Sequence, residues 1–152
     1  MYKHKSTFCA LLLCFAVLAA YGQDAAMTVE IKPARTAVNN YEPFQVATAI
    51  RNTGAIEQSL KIWSCSYPTQ WVSDNPFVKV NLVSFKKNDL LNVNVDPGKG
   101  CERTISIRVE LSAGDGQPEP VTFRLGFKAA TFATGQANLP IWSNPITVTV
   151  TK

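Results

Sequence analysis

Histidine is nearly absent from this sequence: the single one, His4, stands within the first five residues. That stretch opens a segment, Met1–Gly22, built like a secretory signal. Lys3, His4 and Lys5 make a basic start, Phe8–Ala20 is an unbroken apolar run of 13 residues, and Ala20-Tyr21-Gly22 supplies small residues ahead of Gln23. A spanning helix needs about 20 apolar residues, so the run suits a cleaved leader better than an anchor. A lipoprotein leader would place a small residue just before a cysteine, whereas Cys14 follows Leu13. Removal of the leader leaves no histidine. That excludes Ser-His-Asp and Cys-His catalysis in the mature chain, which is expected to be periplasmic or secreted, with no membrane attachment after cleavage and no catalytic residues.

Cysteine is also sparse. Cys9 and Cys14 leave with the leader, and Cys65 and Cys101 remain, 36 residues apart. They lack CxxC spacing and any other soft ligand, which speaks against a redox or metal role. Two cysteines in an exported domain usually pair. A Cys65–Cys101 disulfide is therefore expected, worth roughly 3–4 kcal/mol in the chain-entropy model. Charge of one sign is lacking too. Loss of Lys3 and Lys5 leaves 13 basic residues against 11 acidic ones, a net charge of +2. This is no electrostatic footprint for nucleic acid.

Other signals of chemistry are weak. Ser84 and Lys87 match S-x-x-K by spacing, but at a strand end rather than a helix start. Asn92, Asn94 and Asp96 resemble the opening of a calcium loop, yet Pro97 stands where the turn glycine belongs and Arg103 where the bidentate glutamate belongs. Asp115 and Glu119 read most simply as parts of a polar turn. No glycine-rich loop joins a strand to a helix. No metal site and no cofactor is expected.

What the chain does contain is strands. Gln23–Lys152 is long enough for one domain with a proper core, without repeats, linkers or an amphipathic helix. In Asp96–Leu111 a Pro-Gly turn leads to Cys101, after which Ile105, Ile107, Val109 and Leu111 alternate with Thr104, Ser106, Arg108 and Glu110. That is the period of a half-buried antiparallel strand. Similar alternation marks Met27–Lys32, Phe44–Arg51, Gln58–Cys65, Phe77–Phe85, Leu90–Val95, Val121–Phe127 and Ile146–Thr151. The expected fold is all-β, an antiparallel β-sandwich of about eight strands. Phe77–Phe85 and Leu90–Val95 are expected to form a hairpin turning at Lys86–Asp89. If successive strands alternate in direction, the end of Gln58–Cys65 and the start of the strand at Cys101 share a pole. Their sulfurs could then approach to bonding range.

Tyr41-Glu42-Pro43-Phe44 followed by Ile50-Arg51-Asn52-Thr53-Gly54 resembles the start of many exported bacterial immunoglobulin-like domains. The Pro97-Gly98 turn and the closing Ser143-Asn144-Pro145-Ile146-Thr147-Val148-Thr149-Val150 are similar to theirs as well. The resemblance implies an immunoglobulin-like fold and an interaction role. Its motifs mark turns and strand edges and carry no ligand assignment.

The same strand parity places five aromatics at the disulfide pole. Tyr67 and Trp71 lie in the loop Ser66–Pro76, Phe132 and Trp142 in Ala129–Asn144, and Tyr41 in the turn before Phe44. Long loops on a rigid scaffold commonly carry recognition, and Tyr and Trp concentrate binding energy. Sandwich ends also need plugs, so two readings stand side by side: recognition residues, or tryptophans folded over the core. The expected partner is another envelope or secreted protein, bound through these loops or a sheet edge. Carbohydrate binding, or inhibition of a protease or lysozyme, through the same loops is the alternative.

Overall fold

The alternation after Cys101 folds as a ten-residue strand whose residues 105, 107 and 109 are buried. In the computed structural model the described residues are 27–85, 87–112, 117–129 and 139–151; the leader expected over Met1–Gly22 lies outside them. The strands are β1 (Met27–Pro33), β2 (Ala37–Asn39), β3 (Phe44–Asn52), β4 (Gln58–Trp63), β5 (Trp71–Ser73), β6 (Val78–Val80), β7 (Leu90–Val95), β8 (Gly100–Val109), β9 (Glu119–Phe123), β10 (Leu125–Phe127), β11 (Ile141–Trp142) and β12 (Ile146–Thr151). A 3-10 turn over Tyr67–Gln70 leads into β5.

The strands form four sheets: β1-β3-β8-β6, β11-β10-β5, β2-β12-β9 and the ribbon β4-β7. Their apolar faces meet in one core, to which β1 gives Met27, Val29 and Ile31, β3 gives Phe44, Val46 and Ile50, and β8 gives Ile105, Ile107 and Val109. Leu60 and Ile62 of β4 and Val148 and Val150 of β12 complete it from the other sheets. The described chain is thus all-β, with several sheets packed as in a β-sandwich. β2 runs parallel to β12, and the other strand pairs are antiparallel.

Four expectations change. The expected hairpin between Phe77–Phe85 and Leu90–Val95 is not formed. β6 is only three residues long and pairs with β8, while β7 pairs with β4 in full register. The two alternating runs belong to different sheets, and adjacency in sequence could not say so. The expected strand Val121–Phe127 is split at Arg124. Asp74 accepts from the Arg124 backbone N–H at 2.7 Å and from its Nε at 2.8 Å, so β9 stays with β12 while β10 joins β5. The strand count rises because short strands also form within the expected loops.

The third change is the disulfide. Cys65 and Cys101 are free, half-buried thiols. Cys65 follows the end of β4, its backbone N–H bonded to Asn88 Oδ1 just ahead of β7. Cys101 is the second residue of β8, opposite Ile50, past the turn that leaves β7. The pole argument assumed two antiparallel strands between the cysteines, and the missing hairpin removes one reversal. The fourth change follows from this: the Pro97-Gly98 turn lies beside Asn52, not with the loop after β4. Gly98 N–H donates to Asn52 O at 2.8 Å, and Asn52 N–H donates to Lys99 O at 2.9 Å.

Two side chains replace missing strand pairing. Gln70 Oε1 accepts from Trp63 N–H at 2.9 Å, and its Nε2 donates to Lys61 O and Lys128 O, each at 3.1 Å. This buried amide connects the end of β4 to the chain leaving β10. Asn40 does the same at the edge of β8, donating to Leu111 O and accepting from Leu111 N–H, each at 2.9 Å.

Candidate functional site

Tyr67 and Trp71 do not form an exposed loop surface. Each is 3% exposed. Pro68 sits in the first turn of the 3-10 helix, where a residue without an N–H is tolerated, and the tight turn swings both rings inward. Tyr67 and Trp71 meet edge to face at 5.8 Å, and Trp71 lies 5.3 Å from the Phe127 ring. The Arg103 guanidinium covers the Tyr67 ring at 5.1 Å. The phenol oxygen and Thr48 Oγ1 are 3.2 Å apart, and Thr48 Oγ1 donates to Arg103 O at 2.9 Å. Trp71 Nε1 is buried and has no hydrogen-bond partner among the described residues; it influences the Tyr67 phenol without a bond of normal geometry. Both rings are part of the core.

Burial pushes the Tyr67 phenol up to about 12, against a small opposing pull from Thr48 and a further push from Cys101. The folded state holds this proton where the unfolded chain has lost it. The stabilisation is complete below the unfolded value of 10.0 and is lost as pH rises through the folded value of about 12. Across that window stability should fall by up to about 1.4 kcal/mol per pH unit. Urea unfolding in alkaline buffers will read this slope, and Tyr67→Phe should flatten it.

The remaining predicted aromatics are scattered. Tyr41 is 59% exposed and sits at φ 63°, a left-handed backbone that a bulky residue rarely adopts. Its N–H bonds to Val109 O and its hydroxyl donates to Leu111 O, so it serves to turn the chain onto the edge of β8. Beside it Arg35 first, then Asn39, hydrogen-bond Glu42 and hold its carboxyl below the usual range. Trp142 is 36% exposed, on β11. A side chain on Gly126 would meet the Trp142 ring at 2.9 Å and Pro140 at 2.7 Å, so the glycine makes room for the indole. The Arg124 guanidinium stands over that ring at 5.4 Å. Phe132 lies outside the described residues.

The outer face of the first sheet carries an open trough lined by Ala47 and Ala49 together with Glu30, Lys32, Arg51 and Glu102. Arg51 bonds Glu30 at 3.0 Å and Glu102 at 3.2 Å, so its charges are largely matched. Exposed pairs of this kind contribute little. No group of three or more His, Cys, Asp and Glu that could hold a metal ion occurs among the described residues. No described helix is long and apolar enough to cross a membrane.

A different surface stands out. Nine large hydrophobic side chains are exposed among the described residues, and five of them, Phe77, Leu82, Val83, Phe85 and Leu91, fall in the stretch from 77 to 91. The chain here leaves β6 and makes a last contact with β8 through Asn81 to Ser106; just ahead of β7, Asn88 and Asp89 hydrogen-bond Ser64, Cys65 and Ser66. Among the described residues β7 pairs with β4 alone. The alternation of Phe77–Phe85 was legible as a strand. That it leaves the sheet after Asn81 was not, because pairing depends on which neighbours the topology supplies.

No protein-family model matches this chain, and no curated protein matches it. Among solved structures the chain is similar to part of native alpha-2-macroglobulin from Escherichia coli, spanning domain MG7 to the C-terminus, with a TM-score of 0.45 and 12% identity. The likeness covers 83% of this chain but 16% of that one, so the chain spans about a sixth of that structure's length.

Proposed function

We propose that this chain is an exported, immunoglobulin-like interaction module without catalytic activity, and that it binds a protein partner at the exposed apolar side chains of Leu82, Val83, Phe85 and Leu91. The observation that carries this reading is the run of exposed apolar side chains at 82, 83, 85 and 91, leading into a strand that, among the described residues, pairs with β4 alone. Soluble chains rarely gather apolar groups on one patch without a use for it. The burial of Tyr67 and Trp71 moves the interaction away from the aromatic loops. The envelope or the secretion fluid is the compartment in which to seek the partner. Carbohydrate binding keeps one specific support, the partly exposed Trp142 ring, and a glycan screen repeated with Trp142→Ala tests it.

The main test is a pull-down from the envelope or secretion fraction with the wild-type protein and with Leu82→Ser/Phe85→Ser. Both positions are exposed, at 66% and 40%, so the melting temperature should stay within a few degrees of wild type. A partner held by the wild type and lost by the folded variant supports this reading. Equal capture by both sinks it.

A further inference from the structure

We propose that the protein segment received by Leu82, Val83, Phe85 and Leu91 is acidic, its carboxylates meeting Lys79 and Lys87 while its apolar side chains cover those four. The inference rests on the interaction reading above and names the chemistry of the partner.

Charge is unevenly placed along this chain. Residues 23–152 hold 13 basic and 11 acidic residues. Residues 77–95 take three of the basic ones, Lys79, Lys86 and Lys87, and one acidic one, Asp89. Ten of each remain outside, so the excess of positive charge lies in the stretch that also carries the exposed apolar run. Four arginines outside it are matched at close range: Arg35 by Glu42, Arg51 by Glu30 and Glu102, Arg108 by Glu110 and Arg124 by Asp74. Within 77–95 the one ion pair among the described residues is Lys87 with Asp89 at 3.4 Å, their side chains 83% and 59% exposed. A pair so exposed contributes little and yields to a competing carboxylate. Lys79 is exposed on β6, opposite Arg108. Glu110 and Asn81 engage Arg108, and Lys79 makes no ion pair among the described residues.

The segment between the two lysines is held at both ends. Asn81 donates through its N–H to Ser106 O and through Nδ2 to Ser106 Oγ, each at 2.9 Å. Asn88 Oδ1 accepts from the N–H of Cys65 at 3.2 Å and of Ser66 at 3.1 Å, and Asp89 N–H donates to Ser64 Oγ at 2.9 Å. The chain thus crosses from β8 to the end of β4 with Leu82, Val83 and Phe85 between two anchors, which lowers the cost of ordering them on binding. Phe85 and Leu91 are 40% and 38% exposed. They are seated partly in the body of the protein, which suits a complementary protein face better than insertion into a bilayer. Cations beside apolar groups favour an acidic partner and repel a basic one.

Fluorescence anisotropy with two labelled amphipathic peptides tests this. Both carry the same leucine and phenylalanine pattern, one with glutamate and the other with lysine at the remaining positions. The wild type should bind the glutamate peptide at least about tenfold more tightly than the lysine peptide. That binding should weaken several-fold between about 50 and about 500 mM salt. Lys79→Glu/Lys87→Glu should keep the wild-type melting temperature, since both positions are exposed and surface changes cost little. It should also reverse the preference, which an unfolded variant could not do. A wild type without preference, or a preference that the glutamates leave unreversed, overturns the proposal. So does binding to phosphatidylglycerol vesicles with no binding to either peptide. The pull-down separates this proposal from the reading beneath it. A partner lost by Leu82→Ser/Phe85→Ser yet held in full by Lys79→Glu/Lys87→Glu overturns the acidic partner and leaves the apolar site standing. A partner held in full by both variants overturns both.

Discussion

Trp71→Ala should lower stability by about 3–5 kcal/mol, the usual cost of emptying a buried tryptophan site. The indole is 3% exposed at the start of β5, packed edge to face on Tyr67 and tilted against Phe127. The ring contacts add to the loss, since aromatic pairs contribute about 0.5–1.5 kcal/mol beyond the area they bury. A domain of this size has only about 5–15 kcal/mol in total, so the melting temperature should drop by roughly 10 °C or more. Trp71→Phe should cost far less. It keeps a ring against Phe127 and removes an indole N–H that is buried without a partner, and burying such a group is itself unfavourable. Thermal melts of the two variants measure the contrast. A Trp71→Ala protein as stable as wild type would mean that the ring is not part of the core. The prediction also bears on binding: loss of a partner on Trp71→Ala would report unfolding, so Leu82 and Phe85 are the proper place to test recognition.

How far the sequence could be read depends on which forces act locally. β1, β4, β8 and β12 are legible because each alternates with period two and buries one face; β3 and β7 alternate in sequence as well, though β3 is buried on both faces over Thr48–Ile50 and β7 buries only Val95. The end of β1 at Pro33 and the turn at Pro97-Gly98 are legible from backbone chemistry, and Gly98 has the positive φ, 74°, that its residue type allows. Pairing is not local. The sequence of β7 suits a hairpin partner as well as it suits β4, and only the packed sheets decide. Expecting a disulfide was reasonable from the compartment, but it depended on strand direction, so it failed with the hairpin. Tyr67 and Trp71 had the right residue types for either reading. What decided between them was the direction in which Pro68 and the 3-10 turn point the rings. Gln70 could not have been found by pattern. A buried glutamine acting as a strand partner looks in sequence like any polar residue in a loop.

Asn52 presents the second large effect, because one fully buried residue secures two turns and the end of a strand. Its Nδ2 donates to Ile56 O at 2.7 Å and to Val95 O at 2.8 Å, while its Oδ1 accepts from Gly54 N–H at 2.9 Å. These bonds hold the turn between β3 and β4 and the end of β7, and the backbone of the same residue holds the Pro97-Gly98 turn. Asn52→Ala leaves two carbonyls and an N–H without partners at a position that is 0% exposed. Each orphaned buried group costs about 1–3 kcal/mol; with some rescue by water at the turns, the expected loss is about 2–4 kcal/mol. Asn52→Asp is the sharper test. An aspartate can still accept from Gly54 but turns a carboxylate toward two carbonyl oxygens. Burial and those oxygens would raise its pKa above the unfolded value of about 3.9. A raised folded pKa gives stability that is present below the unfolded value and lost as pH rises through the folded one. The aspartate variant should therefore be most stable in acid, where the protonated acid can donate to one carbonyl, and weaken toward neutral pH relative to Asn52→Ala. Urea unfolding of wild type and both variants at several pH values will show it. If the aspartate variant tracks the alanine variant at every pH, the two carbonyls are not what Asn52 serves, and the hold on the turns lies in its backbone alone.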